Sequence, residues 1–444
     1  MPKVVFMGAG SAVFARRVLG DVMLSPALSD VHIALYDINR TRLDQSEKLI
    51  NSLNEKINHS RAKITAHLGV ENRKLALKNA NYIINAVQIG GYEPSTVIDF
   101  EIPKKYGLRK TIGDTIGIGG IFRALRTAPV MLEFAKDIEQ VCPGAWFLNY
   151  TNPMAILTGT MLKATNVKTV GLCHSVQVCA TTLLNNVGLK DSVKKLQWKI
   201  AGINHMAWLL EIKDGGKDLY PKIKQKAAEL NKEARKDLAK RHDDMVRFEI
   251  MLNFGYYVTE SSEHSAEYSP YWIKSNYPEL IEEFKIPLDE YPRRCVNCIE
   301  RWNNEYESML KNDLKHEKSG EYAGDIIEAI ESGNPVRVHG NIINNNLITN
   351  LPSDSIVEVP CLVDHNGVQG CYIGDLPQQC AALNRTNINP QLIAIEAVLS
   401  RRKEYIYQAA MLDPHTASEL PIDKIKSLCD DLLAAHSDMI PIYR

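Results

Sequence analysis

Short apolar runs alternate with amphipathic stretches over the first third of the chain. Residues 3–7 read as a buried strand, followed by a helix-period stretch at 14–24. Residues 31–36, 64–67 and 82–87 read as further strands, with polar or charged helices at 40–56 and 71–78 between them. The rhythm continues through a strand at 146–148, a helix at 155–163 and a strand at 168–172. Repeated strand–helix–strand units predict an α/β domain built on a parallel sheet with helices on both faces.

After Gly171 the pattern changes. Residues 196–201, 206–212, 336–339 and 356–363 read as strands, and Asn366-Gly367 as a hairpin turn. The mixed charges of 222–244 read as a solvated helix, 243–254 as a more apolar one, and the stretch from Pro390 as helical packing. The expected organisation is a Rossmann-type parallel-sheet domain over 1–195 and a second, α+β domain over 196–444 that carries substrate, metal and oligomer contacts.

Composition narrows the class. The 444 residues carry a formal net charge of −1, with 45% hydrophobic and 24% charged residues, as in a globular protein with ample core. That balance offers no electrostatic footprint for nucleic acid or an anionic membrane. The first residues read as a strand rather than a leader peptide, and no run approaches the roughly 18 apolar residues of a membrane helix, so a cytoplasmic protein is expected. Nine scattered cysteines suggest reduced thiols. Cys295 and Cys298 lack the second pair of a zinc ribbon, and their spacing is that of one helix face.

Gly8-Ala9-Gly10-Ser11 follows the first strand and opens a helix. Gly8 permits the tight turn, Gly10 lets a pyrophosphate approach the backbone, and the helix start at Ser11 presents N–H groups to the anion. Val13 stands where the fingerprint has its third glycine. Asp37 ends the second strand, where a carboxylate binds the ribose hydroxyls and favours NAD over its 2′-phosphorylated relative.

Four glycines at 113–120 predict a loop rather than a helix, placed at the sheet edge where cofactor and substrate meet, with Asp114 and Arg123 nearby. Asn149-Tyr150-Thr151-Asn152, Cys173-His174-Ser175 and Asn204-His205 each follow a strand. If those strand ends share one sheet edge, Cys173 and His205 face one divalent ion with open positions left for substrate. His174 stands beside them as a proton donor. Glu260, Glu263, His264 and Glu267 have the spacing of one helical face; Glu260 and Glu263 are given no chemical role.

In this order the motifs resemble glycoside hydrolase family 4, from Gly8 to about Pro360. The markers are Gly-Ala-Gly-Ser-Ala-Val-Phe at 8–14, Gly-Asp-Thr-Ile-Gly-Ile-Gly-Gly at 113–120 and Thr-Asn-Pro-Met at 151–154. Cys-His-Ser at 173–175, Gly-Ile-Asn-His at 202–205 and Thr-Glu-Ser-Ser-Glu-His at 259–264 complete them. Cys-His-Ser looks like the α-galactosidase subgroup. α-Glucosidases, α-glucuronidases and α-galacturonidases carry close variants.

The resemblance implies a lactate/malate dehydrogenase-like fold and the NAD-dependent exception to two-carboxylate glycoside hydrolysis. The sugar is oxidised at C3, deprotonated at C2, eliminated at C1, hydrated and re-reduced. It implies NAD and Mn²⁺ as cofactors, with Cys173 and His205 as metal ligands and His174 as the acid. It further implies Tyr256 (or its neighbour Tyr257) as the C2 base, Asp114 and Asn152 on the sugar, Asn149 near the nicotinamide ribose, and a homodimer or homotetramer. Two rivals stand beside it. A lactate/malate-type dehydrogenase needs no metal thiolate and accumulates NADH. An NAD-binding sensor has no metal-dependent turnover. A C6 carboxylate on the sugar would call for Arg293, Arg294 or His339.

Overall fold

In the computed structural model, residues 1–311 and 315–444 are described, Ala12 and Lys311 by backbone alone. The strands are β1 (Lys3–Met7), β2 (His32–Asp37), β3 (Lys63–Leu68), β4 (Tyr82–Asn85), β5 (Trp146–Asn149) and β6 (Lys168–Gly171). They continue with β7 (Leu196–Ile203), β8 (Met206–Asp214), β9 (Lys217–Asp218), β10 (Tyr257–Val258), β11 (Val336–Ile343), β12 (Ile356–Asp364) and β13 (Gly367–Gly370).

The first six strands are all parallel, in the order β3-β2-β1-β4-β5-β6. This is the doubly wound order of dinucleotide-binding folds, and it reverses between β1 and β4. The strands read as continuous apolar runs because both faces are covered. Val4 and Phe6 enter one core cluster while the alternate residues Val5 and Met7 enter the cluster on the opposite face.

Beyond β6 the same sheet continues antiparallel through β11, β12, β7, β8 and β10. The sequence boundary near residue 195 therefore marks a change of pairing, not a break in the sheet. The C-terminal helices Gln378–Ser400, Lys403–Leu412 and Ile422–Ala435 also return to the first half. Ala397, Ile406 and Leu428 share a core cluster with Met7 and Phe147. The unit expected at 196–444 is thus interleaved with the one at 1–195.

The glycine-rich segment departs from the loop expected of it. Gly117, Gly119 and Gly120 lie in a buried helix, Gly117–Val141. Added Cβ atoms would come within 2.3 Å of the Gly113 carbonyl oxygen at Gly119 and 2.6 Å of the Thr115 carbonyl carbon at Gly120. Residues 113–116 fold back over the helix start, and only glycine leaves room for them. Packing outweighs the helix propensity lost by each glycine, about 1 kcal/mol. The Cys295–Cys298 pair lies on a helix, Glu290–Lys311, as its spacing predicts.

Candidate active site

The nucleotide cleft lies at the switch point between β1 and β4. Gly8 has φ of +86°, and a Cβ there would come within 2.8 Å of the Ala86 carbonyl oxygen. A Cβ on Gly10 would come within 2.8 Å of Asp37 Oδ2, which accepts from the Gly10 N–H at 2.6 Å. Asp37 Oδ1 accepts from Asn39 N at 2.8 Å, so each oxygen keeps a lone pair for a ribose hydroxyl. Ser11 makes no side-chain cap to helix Ala12–Leu24, and no acid sits in the first turn. The positive helix end is therefore left for a phosphate. Val13 is 47% exposed, so its side chain points away from the strand–helix contact that usually demands the third glycine.

Cys173 lies just past β6, in the turn before helix Ser175–Asn186, with its Sγ 3.3 Å from Ser175 Oγ. His205 does not come from the end of a further parallel strand. It lies in the tight turn joining the antiparallel strands β7 and β8, at φ of +61°. A non-glycine residue held in the left-handed region is strained, a cost that recurs at functional sites. This turn sets the buried imidazole against Cys173. Glu260, just beyond β10, completes the group: the ligand atoms of Cys173, His205 and Glu260 lie within 4.8 Å of one another.

The spacing of Glu260 with Glu263, His264 and Glu267 suggests a shared helix, but that helix begins only at Ser262 and Glu260 stands before it. The usable signal was its place at the end of a strand, where Cys173 also sits. Its Oε2 is 3.5 Å from His205 Nε2. Burial opposes its ionisation, but His205 and His264 outweigh burial and hold the carboxyl down at about 2. On the far side of the His205 ring, Nδ1 meets the Tyr268 hydroxyl at 3.0 Å. With Nδ1–H donating to that oxygen, Nε2 is left bare toward Cys173 and Glu260, the tautomer a metal ligand requires. Thiolate, imidazole and carboxylate with further positions open form a donor set that fits a divalent transition ion.

A second group faces this one. Asn152 Nδ2 donates to Asp114 Oδ2 at 3.2 Å, and Arg123 Nη1 lies 3.8 Å from the same oxygen. Burial would raise the Asp114 carboxyl, but Arg123, His264 and His205 hold it below its usual range. Asp114 is presented by residues 111–113, whose backbone N–H groups donate to Glu267 at 3.0, 3.2 and 2.9 Å. His264 bridges the two groups. Its ring is edge-on to His205 at 4.7 Å, and its Nε2 is 3.9 Å from Asp114 Oδ1. Burial pushes its imidazole down to about 4, so it is neutral at pH 7. His174 is exposed at the start of helix Ser175–Asn186, open to a substrate.

Three residues that the resemblance names are engaged with partners inside the protein. Asn149 has no exposed surface, and its amide bonds Asn85 Nδ2, Thr151 N and the Thr151 carbonyl at 2.9, 3.1 and 3.1 Å. It pins the β4 and β5 ends together. Tyr256 packs edge-on against Tyr220 at 5.9 Å, outside the contacts that join Cys173, His205, His264 and Tyr268. Tyr257 is buried, with its hydroxyl donating to Asp244 Oδ2 at 2.6 Å and Arg247 over its ring. The tyrosine that reaches the cluster is Tyr268. Of the cations considered for a C6 carboxylate, Arg294 is paired with Glu263 and Glu290 at 2.7 and 2.8 Å. Arg293 is bonded to Glu290 and the Leu288 carbonyl. His339 is buried against Trp198. No helix among the described residues is long and apolar enough to cross a membrane.

Comparison with known proteins identifies the family. The chain is 58% identical to an α-galactosidase of Bacillus subtilis (strain 168), with all of both chains covered. It is 32% identical to an α-galactosidase of Rhizobium meliloti (strain 1021), over 99% of this chain and 89% of that one. A crystal structure of a 6-phospho-α-glucosidase from gut microorganisms, in complex with NAD and Mn²⁺, has the same fold at a TM-score of 0.80 and 18% identity, covering 100% of both chains. The family model described as family 4 glycosyl hydrolase matches residues 3–189, and the model of that family's C-terminal domain matches 200–416. With the two models between them matching most of the chain, it is a member of family 4 of the glycosyl hydrolases.

Proposed function

We propose that this chain hydrolyses α-galactosides, with NAD in the cleft at Gly8, Gly10, Ser11 and Asp37 and Mn²⁺ held by Cys173, His205 and Glu260. The observation that carries the reading is the meeting of thiol, imidazole and carboxylate within 4.8 Å, with the hydrogen-bonded pair Asp114 and Asn152 joined to it through His264. When bound, NAD supplies a reversible hydride acceptor for C3, and the dication polarises the sugar oxygens so that the C2 proton becomes acidic.

The chain's own groups do the rest. Asp114 and Asn152 bind hydroxyls, as a carboxylate and an amide do. His174, exposed at its helix start, donates a proton to the departing glycosidic oxygen. For the C2 proton the geometry favours His264 over Tyr256. Ser261 Oγ lies 3.2 Å from His264 Nδ1 and orients the ring, leaving Nε2 toward Asp114. His264→Asn is expected to lower kcat by about 10²–10⁴, the usual contribution of a positioned base, with Mn²⁺ affinity kept. Unchanged turnover would return the base to a tyrosine. A neutral sugar fits better than a uronate, since Arg123 stands with Asp114 and Arg294 with Glu263 and Glu290, leaving neither guanidinium unpaired.

The test is release of nitrophenol from p-nitrophenyl α-galactoside under reducing conditions, after dialysis against chelator, with NAD and Mn²⁺ added together or singly. Turnover only with both, without net NADH, is the expected result. NADH accumulating with turnover would mark a dehydrogenase. Turnover of a galacturonide, glucuronide or glucoside in place of the galactoside would move the sugar and leave the chemistry.

A further inference from the structure

A row of residues crosses the sheet from β6 to β7. Gly171 of β6 pairs with Asn341 of β11, Asn341 with Glu358 of β12, and Glu358 with Gly202 of β7. Glu358 has no exposed surface. Its Oε1 accepts from Asn341 Nδ2 at 3.0 Å, and the same amide nitrogen donates to the Gly171 carbonyl at 3.3 Å. Cys173 lies just beyond Gly171, and His205 just beyond the end of β7. Glu358 is therefore tied to both strands that deliver Cys173 and His205, to β6 by its carboxylate through Asn341 and to β7 by its backbone pairing.

The row is left incomplete in one direction. Glu358 Oε2 has no hydrogen-bond partner, and neither does Asn341 Oδ1. The Asn204 side chain, 1% exposed and next to His205, adjoins the carboxylate, yet neither of its polar atoms completes a hydrogen bond. Glu358 is within electrostatic reach of Cys173, His205 and Glu260. The groups that act most strongly on it are His205, Asn341, Asn204 and Glu260, with no lysine or arginine among them. A buried carboxylate with an unpaired oxygen is unfavourable unless a positive charge compensates it. The three groups nearby are those that would hold a dication. The apolar run around Glu358, Ile-Val-Glu-Val-Pro, is the sequence signal that sets this acid apart.

We propose that Glu358 is a positioning residue for the divalent cation: it supplies negative charge beneath Cys173, His205 and Glu260, and through Asn341 and β7 it sets the spacing of the two strand ends. This rests on the metal reading above. Glu358 touches neither substrate nor cation; it acts through the groups that do.

Mn²⁺ binding to the full chain, followed by the electron paramagnetic resonance of the free ion, tests it. Glu358→Gln is expected to raise the Mn²⁺ Kd by about tenfold or more, the scale on which outer partners of metal ligands act. Glu358→Asp, which keeps the charge, is expected to recover most of that loss. NAD binding, read by fluorescence, stays at the wild-type value in both. The metal-free Tm of Glu358→Gln stays at or above that of the wild type, because the isosteric amide removes an uncompensated buried charge, while the Tm increment on adding Mn²⁺ shrinks. A wild-type Mn²⁺ Kd in Glu358→Gln overturns the proposal. So does a joint loss of metal affinity, NAD affinity and metal-free Tm, which would mark a packing role. If Glu358→Gln does not fold, Asn341→Ser decides: it releases Glu358 Oε1, and an unchanged Mn²⁺ Kd then overturns the proposal. Failure of the wild-type chain itself to bind Mn²⁺ would remove the metal reading, and is distinct from wild-type binding that is insensitive to position 358.

Discussion

Cys173→Ser is expected to abolish metal-dependent turnover while NAD binding stays at the wild-type level. The thiol lies within 4.8 Å of the His205 and Glu260 ligand atoms, and burial raises its pKa in the absence of a cation. A bound dication reverses that preference by stabilising the thiolate. Serine is smaller, harder and not anionic at neutral pH, so the site keeps its shape and loses its anionic sulfur ligand. The fall in kcat/KM should exceed the roughly 10–100-fold typical of losing an outer partner of a metal ligand. The Gly8–Ser11 turn belongs to β1 and the helix after it, while Cys173 lies past β6. Nitrophenol release against added Mn²⁺, with NAD binding measured in parallel, checks both halves. Full activity of the variant in the presence of chelator would remove the cation from the mechanism.

The largest expected effect on stability lies behind the site. Asp99, 3% exposed, accepts from both terminal nitrogens of Arg126 at 3.1 and 2.6 Å, and from His436 Nε2 at 2.9 Å. Lys110 Nζ donates to the Asp99 backbone carbonyl. The cluster joins helix Val97–Lys105, helix Gly117–Val141 and the end of helix Ile422–Ala435. It thereby ties the C-terminal segment to the support of the loop that presents Asp114. Burial opposes a charge on Asp99, and Arg126 and His436 outweigh it. Asp99→Ala leaves the Arg126 guanidinium buried and unpaired, which is expected to cost about 3–5 kcal/mol. Urea unfolding of the metal-free protein at pH 7 measures it. A loss below about 1 kcal/mol, the scale of an exposed ion pair, would mean that water reaches the guanidinium and that the pair does not bind the helices together.

Much of the molecule is legible along the chain. The bounds that the pattern predicts for β1 coincide with those observed, and those for β2 to β6 fall within a residue or two. Buried parallel strands are short apolar runs, and the helices between them carry a regular apolar face, so both periods survive in one dimension. The turn at Gly8 and Gly10 and the acid at Asp37 are equally local, since each follows from how a backbone must pass a phosphate or end a strand. Cys173 and His205 stand out as metal-binding residue types at strand ends.

Other features depended on residues distant in the chain. The glycines at 117–120 became helical because residues 113–116 fold onto them, a contact that no propensity contains. Asn149 and Tyr257 take internal partners, Asn85 with Thr151 and Asp244 respectively, that are distant in sequence or set by packing. Glu260 joined Cys173 and His205 because β10 pairs with β8 and brings the segment after it beside the β7–β8 turn. Glu358 acquired its place only when β12 came to lie between β11 and β7. The sequence by itself determined the strand–helix rhythm, the nucleotide turn and the kinds of side chain available for chemistry, because these follow from local backbone geometry and residue type. Which carboxylate meets Cys173 and His205, which tyrosine touches His205 and where Glu358 lies were decided by tertiary structure. Those relations depend on how strands distant in sequence pair in space.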